Sequence, residues 1–236
     1  MSGKIGWGIL GAGAIANAFA DGVTRSETGK LVAIGSRTQA KANEFAAKWG
    51  NIKAHGSYEA LLADPAVQAV YVATPHPHHP EWAIKAAEAG KHLLVEKPMA
   101  INSWQVQTII EAAVANKVFL MEAYMYRCHP QTARLVQLLH DKTIGEVAVI
   151  KATFSFRSGY SPDSRLWNNA LAGGGILDVG GYTTSITRLI AGAALGKPFA
   201  NPISVTGSGQ LHPESGVDQW AVGTLKFEGG IVAQIS

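Results

Sequence analysis

The chain has 236 residues, which at roughly 150 residues per domain makes one large domain or two small ones. Hydrophobic residues make up 47% and charged residues 16%, a balance that can bury a core and excludes a disordered chain. Lys and Arg number 20 against 17 Asp and Glu, a formal charge of +3 without a basic run, which argues against a nucleic-acid binder; the single cysteine, Cys128, excludes an intrachain disulfide framework.

The first half alternates strand-like and helix-like segments. Ile5 to Leu10 is a short apolar run ending at Gly11, read as a buried strand. Ile15, Phe19 and Val23 then fall on one helical face. Leu31 to Gly35 is a second strand, and Ala42, Phe45, Ala46 and Trp49 mark a second helix. Ser57 is placed to cap a short helix that ends before Asp64-Pro65. Ala69 to Thr74 is a strand, Pro80 suits a helix first turn and Gly90 its stop. His92 to Lys97 is a strand, Val106, Ile109, Ile110 and Ala113 mark a helix, and Val118 to Ala123 is a strand. Continuous apolar strands between amphipathic helices predict a parallel sheet covered on both faces.

The pattern changes after Ala123, so the expected domains are residues 1–123 and 124–236. A helix carries Ala133, Val136 and Leu139. Glu146 to Arg157 then alternates strictly, which predicts a long half-exposed strand of an antiparallel sheet. Ile176 to Ala191 reads as helix. Ile203 to Leu211, Gln219 to Phe227 and Ile231 to Ser236 read as strands, the last two joined through Glu228-Gly229-Gly230. The second domain is therefore expected to be α+β with an open sheet. It ends inside an apparent strand, which suggests a truncated sequence. No apolar run approaches the roughly 20 residues of a membrane helix, and no basic stretch or cleavage site precedes Ile5. The expectation is a soluble cytoplasmic protein with neither nucleic-acid nor membrane partners.

Gly11-Ala12-Gly13-Ala14-Ile15-Ala16 follows the first strand and opens the first helix, the context of a G-x-G-x-x-A dinucleotide fingerprint. Gly11 permits the tight turn, Gly13 lets a pyrophosphate approach the main chain, and Ala16 allows close helix–sheet packing. Free N–H groups at the helix start, at Ala14 and Ile15, complete the cradle. The alternative is a plain tight turn. The second strand ends Gly35-Ser36-Arg37-Thr38, where an NAD site usually has Asp or Glu to accept from the ribose 2′-hydroxyl. A carboxylate would repel a 2′-phosphate, whereas Ser36, Arg37 and Thr38 are suited to bind one. NADP is thus favoured over NAD, the alternative being that Arg37 is a solvated surface charge. In open parallel sheets ligands bind beyond the carboxyl ends of the strands. Thr74-Pro75-His76-Pro77-His78-His79 and Glu96-Lys97-Pro98 lie at two such ends. No metal is expected, because prolines interrupt the histidines and no ligand spacing accompanies them. Thr74, Pro75, His76, His79, Glu96 and Lys97 are candidate cofactor contacts, His79 as a loop residue near the nicotinamide.

These motifs, together with Gly173-Gly174-Gly175-Ile176-Leu177-Asp178-Val179-Gly180-Gly181-Tyr182, resemble the Gfo/Idh/MocA oxidoreductases over essentially the whole chain. Ser36-Arg37 and the Met121–Pro130 segment are similar to that family's branch of NADP-dependent D-xylose 1-dehydrogenases and dimeric dihydrodiol dehydrogenases. The resemblance implies a Rossmann domain, doubly wound, followed by a C-terminal α+β open-sheet domain often used for homo-oligomerisation. It implies NADP-linked oxidation of a sugar or vicinal diol. Two departures stand out: His76 replaces the Asn of many members, and members continue well past Ser236.

Asp178 and Tyr182 are four residues apart at a helix start, hence expected on one face. Alcohol oxidation needs a base for the hydroxyl proton while hydride goes to the nicotinamide. A phenol, with a reference pKa of about 10, gains acidity beside an ammonium. Tyr182 is therefore the expected acid/base, Lys97 its tuning partner, and Asp178 a group orienting Lys97 or a sugar hydroxyl. A packed aromatic and a helix N-terminal carboxylate are the alternatives for Tyr182 and Asp178. Arg165 and Trp167, in a Gly/Ser/Pro-flanked loop, are expected either to close over the cofactor or to anchor the loop. Other readings are another sugar or inositol dehydrogenase, a non-catalytic NADP(H)-binding sensor, and an inactive fragment.

Overall fold

The computed structural model describes residues 3–236, in two compact units, the first ending at Ala123 and the second spanning Tyr124–Ser236. In the first, β1 (Ile5–Leu10) leads through the glycine turn into α1 (Ala14–Thr24). Then come β2 (Gly29–Gly35), α2 (Gln39–Lys48), β3 (Lys53–His55), α3 (Tyr58–Leu62) and β4 (Ala69–Val72). The unit closes with α4 (His79–Glu88), β5 (His92–Val95), α5 (Ser103–Ala115) and β6 (Leu120–Glu122). All strands are parallel, in the order β3-β2-β1-β4-β5-β6, so every carboxyl end lies along one edge.

Two apolar cores cover the two faces. Ile9, Ile34 and Tyr71 pack with Ala16, Ala20 and Phe45 on one side; Leu10, Val70 and Val72 pack with Leu61, Ala83 and Ile109 on the other. Small residues at Ala16 and Ala20 bring α1 close to the sheet. Ile15, expected on one helical face with Phe19 and Val23, is 43% exposed in the first turn of α1. Side-chain caps start three helices: Thr38 Oγ1 accepts from Lys41 N–H, Ser57 Oγ from Ala60 N–H, and Asn102 Oδ1 from Gln105 N–H. The sequence reading contains no strand at Lys53–His55. Three residues without an apolar run carry no local signal, and β3 exists through pairing of Ala33–Gly35 with it.

The second unit has α6 (Pro130–His140), β7 (Val149–Ala152), α7 (Gly181–Ala194), β8 (Ser204–Leu211), β9 (Asp218–Lys226) and β10 (Val232–Ile235). The sheet order is β7-β10-β9-β8, and Leu225, Phe227, Ile231 and Ala233 pack with Ile150 and Ala191 on one face. The long antiparallel strand expected over residues 146–157 is corrected in two respects. It is four residues long, and it runs parallel to β10, Val149 opposite Val232 and Ala152 opposite Ile235. Alternation reports which side chains face inward, and neither partner length nor direction follows from it. The sheet is mixed, with β10–β9 and β9–β8 antiparallel. The helix expected from Ile176 begins with a π-helical turn, Ile176–Gly180, before α7.

Candidate functional site

The glycine turn is built by a main chain that only glycine adopts without strain. Gly11 has φ +102°, and a Cβ there would lie 2.7 Å from Ala73 O. Its N–H donates to Gly35 O at 3.0 Å, tying the turn to the end of β2. Gly13 sits at the N-cap of α1 with no side-chain cap, no acidic residue in the first turn, and open space where a Cβ would point. Ala14 is exposed beside it. Unused N–H groups and a helix dipole make this terminus attractive to an anion.

At the end of β2, Ser36 is 5% exposed and its N–H donates to His55 O at 3.1 Å. Arg37 and Thr38 are exposed, and Thr38 doubles as the cap of α2. The Arg37 guanidinium reaches Tyr58 electrostatically: burial raises the Tyr58 phenol pKa and the Arg37 charge opposes that rise.

After β4, Thr74 is 7% exposed and its hydroxyl has no hydrogen-bond partner among the described residues. Pro75 leads into a 3₁₀ turn, His76–His78, whose His76 is buried with its ring against His79. His79 is fully buried and is the first residue of α4, a correction to its expected place in the preceding loop, because the helix starts directly after the 3₁₀ turn. Its Nδ1 pairs with Pro98 O and its Nε2 with Thr74 O, both at 2.8 Å. The imidazole is a strut between the segments after β4 and β5, and burial lowers its pKa while the two carbonyls oppose the shift. A neutral ring donates to one carbonyl only, so the second is satisfied only by the charged ring.

Glu96 and Lys97 follow β5, and the Lys97–Pro98 peptide is cis. Glu96 Oε1 accepts from Tyr71 of β4, and its Oε2 accepts from Lys97 N–H at 3.1 Å. This carboxylate therefore grips the neighbouring strand and its own loop. Glu122, at the end of β6, accepts from Met99 N–H at 2.8 Å. Sequence reasoning missed Tyr71 and Glu122: each lies inside an apolar run, and only the pairing of neighbouring strands gives it a polar partner.

In the second unit, Asp178 lies in the π-helical turn, 6% exposed, with Arg165 Nη1 donating to Oδ1 at 2.9 Å. Tyr182 is in the first turn of α7, partly exposed, its hydroxyl 3.3 Å from Met125 Sδ. Its ring meets Tyr124 edge-on at 5.2 Å and Phe154 at 5.4 Å. The expected common helical face is thereby altered, since five-residue bonding changes the rotation between positions 178 and 182. Asp218, also missed by the sequence reading, accepts from Ile176 N–H at 2.6 Å. Gly174, at φ +108°, leaves the space that this carboxylate enters; a Cβ would strike Asp218 Oδ1. Trp167 is 9% exposed, its Nε1 meets Ser158 Oγ at 3.3 Å, and its ring packs edge-on to Tyr160 and His212. A cavity of about 610 Å³ lies in this unit, lined by Phe154, Trp167, Asp178, Thr183 and Ala221.

The buried, unpartnered Thr74 hydroxyl and the open cradle at Gly13 fit a dinucleotide along this sheet edge. No helix among the described residues is long and apolar enough to cross a membrane. A parallel sheet in 3-2-1-4-5-6 order with a glycine turn after β1 defines a dinucleotide-binding Rossmann unit. The chain belongs to the Gfo/Idh/MocA oxidoreductase family: residues 5–124 match its "Oxidoreductase family, NAD-binding Rossmann fold" and residues 132–236 its C-terminal domain. It is 38% identical over 227 residues to the trans-1,2-dihydrobenzene-1,2-diol dehydrogenase of Mus musculus, covering 95% of this chain and 66% of that protein. It is 34% identical to a D-xylose 1-dehydrogenase (NADP(+)) of Haloferax volcanii, covering 97% of this chain and 68% of that protein. The chain thus spans about two thirds of the length of these relatives. Among solved structures it is similar to a 3-ketoreductase from Actinomadura kijaniata in complex with NADP and TDP-benzene. That match has a TM-score of 0.85 and 27% identity and covers 98% of this chain and 69% of that one. The aldose-aldose oxidoreductase of Caulobacter crescentus superposes with a TM-score of 0.84 at 26% identity, covering 98% of this chain and 70% of that one.

Proposed function

We propose that this chain acts as an NADP(H)-dependent oxidoreductase of a sugar (aldose) or vicinal diol, with Tyr182 as acid/base assisted by Lys97. One observation carries the reading: Lys97 leaves β5 at the same carboxyl edge as the Gly11 turn after β1, with β4 alone between those strands. A bound nicotinamide supplies the hydride acceptor. Gly11, Gly13, Ala14 and Ile15 would hold the pyrophosphate of the dinucleotide on the start of α1, and Thr74 would offer it an unused hydroxyl. Ser36, Arg37 and Thr38 present a cation and donors, without a carboxylate, to a 2′-phosphate. Tyr182 removes the proton of the substrate hydroxyl, and the Lys97 ammonium favours the phenolate that does so. Asp178 holds Arg165 in place beside the turn that leads to Tyr182. The relatives named for D-xylose and dihydrodiols support the substrate class.

The test is steady-state turnover with NADP and NAD across a panel of aldoses and trans-diols, for the wild type and Tyr182→Phe. Turnover with NADP, lost in Tyr182→Phe while NADPH still binds, is the expected outcome. Near-normal rates in that variant remove Tyr182 from the mechanism. NADPH binding without turnover of any panel member makes the chain a nucleotide-binding sensor.

A further inference from the structure

Main-chain groups on three successive residues after β5 are held by side chains from three places. Lys97 N–H donates to Glu96 Oε2, Pro98 O pairs with His79 Nδ1, and Met99 N–H donates to Glu122 Oε1. Glu96 belongs to the loop itself, His79 to the first turn of α4, and Glu122 to the end of β6. β6 is the edge strand, and its register sets Glu122 opposite Val95, the last residue before the loop. The proposed chemistry gives Glu122 no task. Yet burial raises its pKa and the Glu96 charge raises it further, against the Met99 N–H, which favours the charged form. A partly buried carboxylate beside a second carboxylate is unfavourable unless a donor compensates it. Here the donor is a main-chain group two residues beyond Lys97.

We propose that Glu122 is a positioning residue that grips Met99 N–H, fixes the exit of the Glu96–Met99 loop, and so sets where the Lys97 side chain begins. This rests on the reading of Lys97 as a functional group and deepens it. Pro98 has no N–H, and the loop uses Lys97 N–H, Pro98 O and Met99 N–H, one group on each of three successive residues, as handles for the three side chains. Releasing the last handle frees the loop at one end while Glu96 and His79 still hold the other. Misplacement of a reacting group by about 1 Å costs on the order of 100-fold in rate.

Glu122→Ala and Glu122→Gln are made in the full chain, each alone and combined with Lys97→Ala. The Gln carboxamide keeps a carbonyl oxygen for Met99 N–H. Glu122→Ala is expected to lower kcat by about 10- to 100-fold on the best panel substrate, with NADPH affinity, read by nucleotide fluorescence, within about 2-fold. Glu122→Gln should stay within about 5-fold of wild type, and in the Lys97→Ala background Glu122→Ala should cost nothing more. A merely structural residue would cost the same in both backgrounds. Equal losses in both, or Gln as harmful as Ala, overturn the proposal. A second readout is independent of turnover: Met99 amide hydrogen exchange should quicken by about 10-fold or more in Glu122→Ala and stay slow in Glu122→Gln. Unchanged exchange in Glu122→Ala overturns the grip itself. Full turnover in Lys97→Ala overturns the underlying reading of Lys97 instead, and the two failures are told apart by the Met99 amide.

Discussion

Replacing Asp64 by Asn should loosen the sheet edge beside Ser36, with a pH dependence that the geometry defines. Asp64 is 4% exposed. Its Oδ2 receives Lys53 Nζ at 2.9 Å and pairs with His55 Nε2 at 3.0 Å, and its Oδ1 receives Ala66 N–H at 3.0 Å. The Lys53 bond above all, then the Ala66 N–H, pulls its pKa from 3.8 to about 2. At ~1.36 kcal/mol per unit, that difference is worth roughly 2.4 kcal/mol. The Lys53 side chain is 62% exposed, so solvent screening reduces the expected loss to about 1–2 kcal/mol at pH 7. Because the folded-state pKa is depressed, the unfolded chain binds the extra proton as acid is added. The stabilisation is complete above about pH 5 and fades as pH falls through 3.8 towards 2. Asn does not titrate, so the wild-type and variant urea-unfolding curves, followed by circular dichroism at pH 7, 5 and 3, should converge at the acid end. A gap that is constant with pH, or no gap at pH 7, refutes the reasoning. His55 O accepts from Ser36 N–H, so the variant should also bind NADPH more weakly.

Gly11→Val meets both a φ of +102° and Ala73 O, and should lose roughly 2 kcal/mol or more together with NADPH binding; a wild-type melting temperature with intact binding would contradict this. Arg37→Asp, at an exposed position, should leave stability within about 0.5 kcal/mol and lower the NADP-to-NAD preference by about 10-fold or more in paired fluorescence titrations. His79→Leu removes the partner of Thr74 O and Pro98 O and should cost about 2–4 kcal/mol in chemical denaturation. Burial lowers the His79 pKa, so the unfolded chain takes up the proton first and wild-type stability falls as pH drops through 6.5; the Leu variant should show a flatter profile over that range.

Much of the first unit was legible because its signals are local. The Gly11–Ala16 turn, the Ser57 cap and the apolar strand runs each act within a few residues, and β1, α1, α2 and α4 stand where those signals place them. The hairpin between β9 and β10 was equally local, set by Glu228-Gly229-Gly230 with both glycines at positive φ. Contacts between residues far apart in the chain decided the rest. β3 is a strand because β2 offers it a ladder, and β7 runs parallel to a strand some 80 residues later although its alternation suits either direction. Asp218, some 40 residues on, fills the space beside Gly174 and accepts from Ile176 N–H at the start of the π-helical turn. The same holds for the polar groups around Lys97: composition shows that Tyr71, His79, Glu96 and Glu122 exist, whereas which of them hold the loop is settled by the register of β4, β5 and β6 and by the first turn of α4. Local propensity and periodicity select the elements. The pairing of a buried carboxylate or imidazole is a property of the assembled sheet, because its partners become neighbours only there.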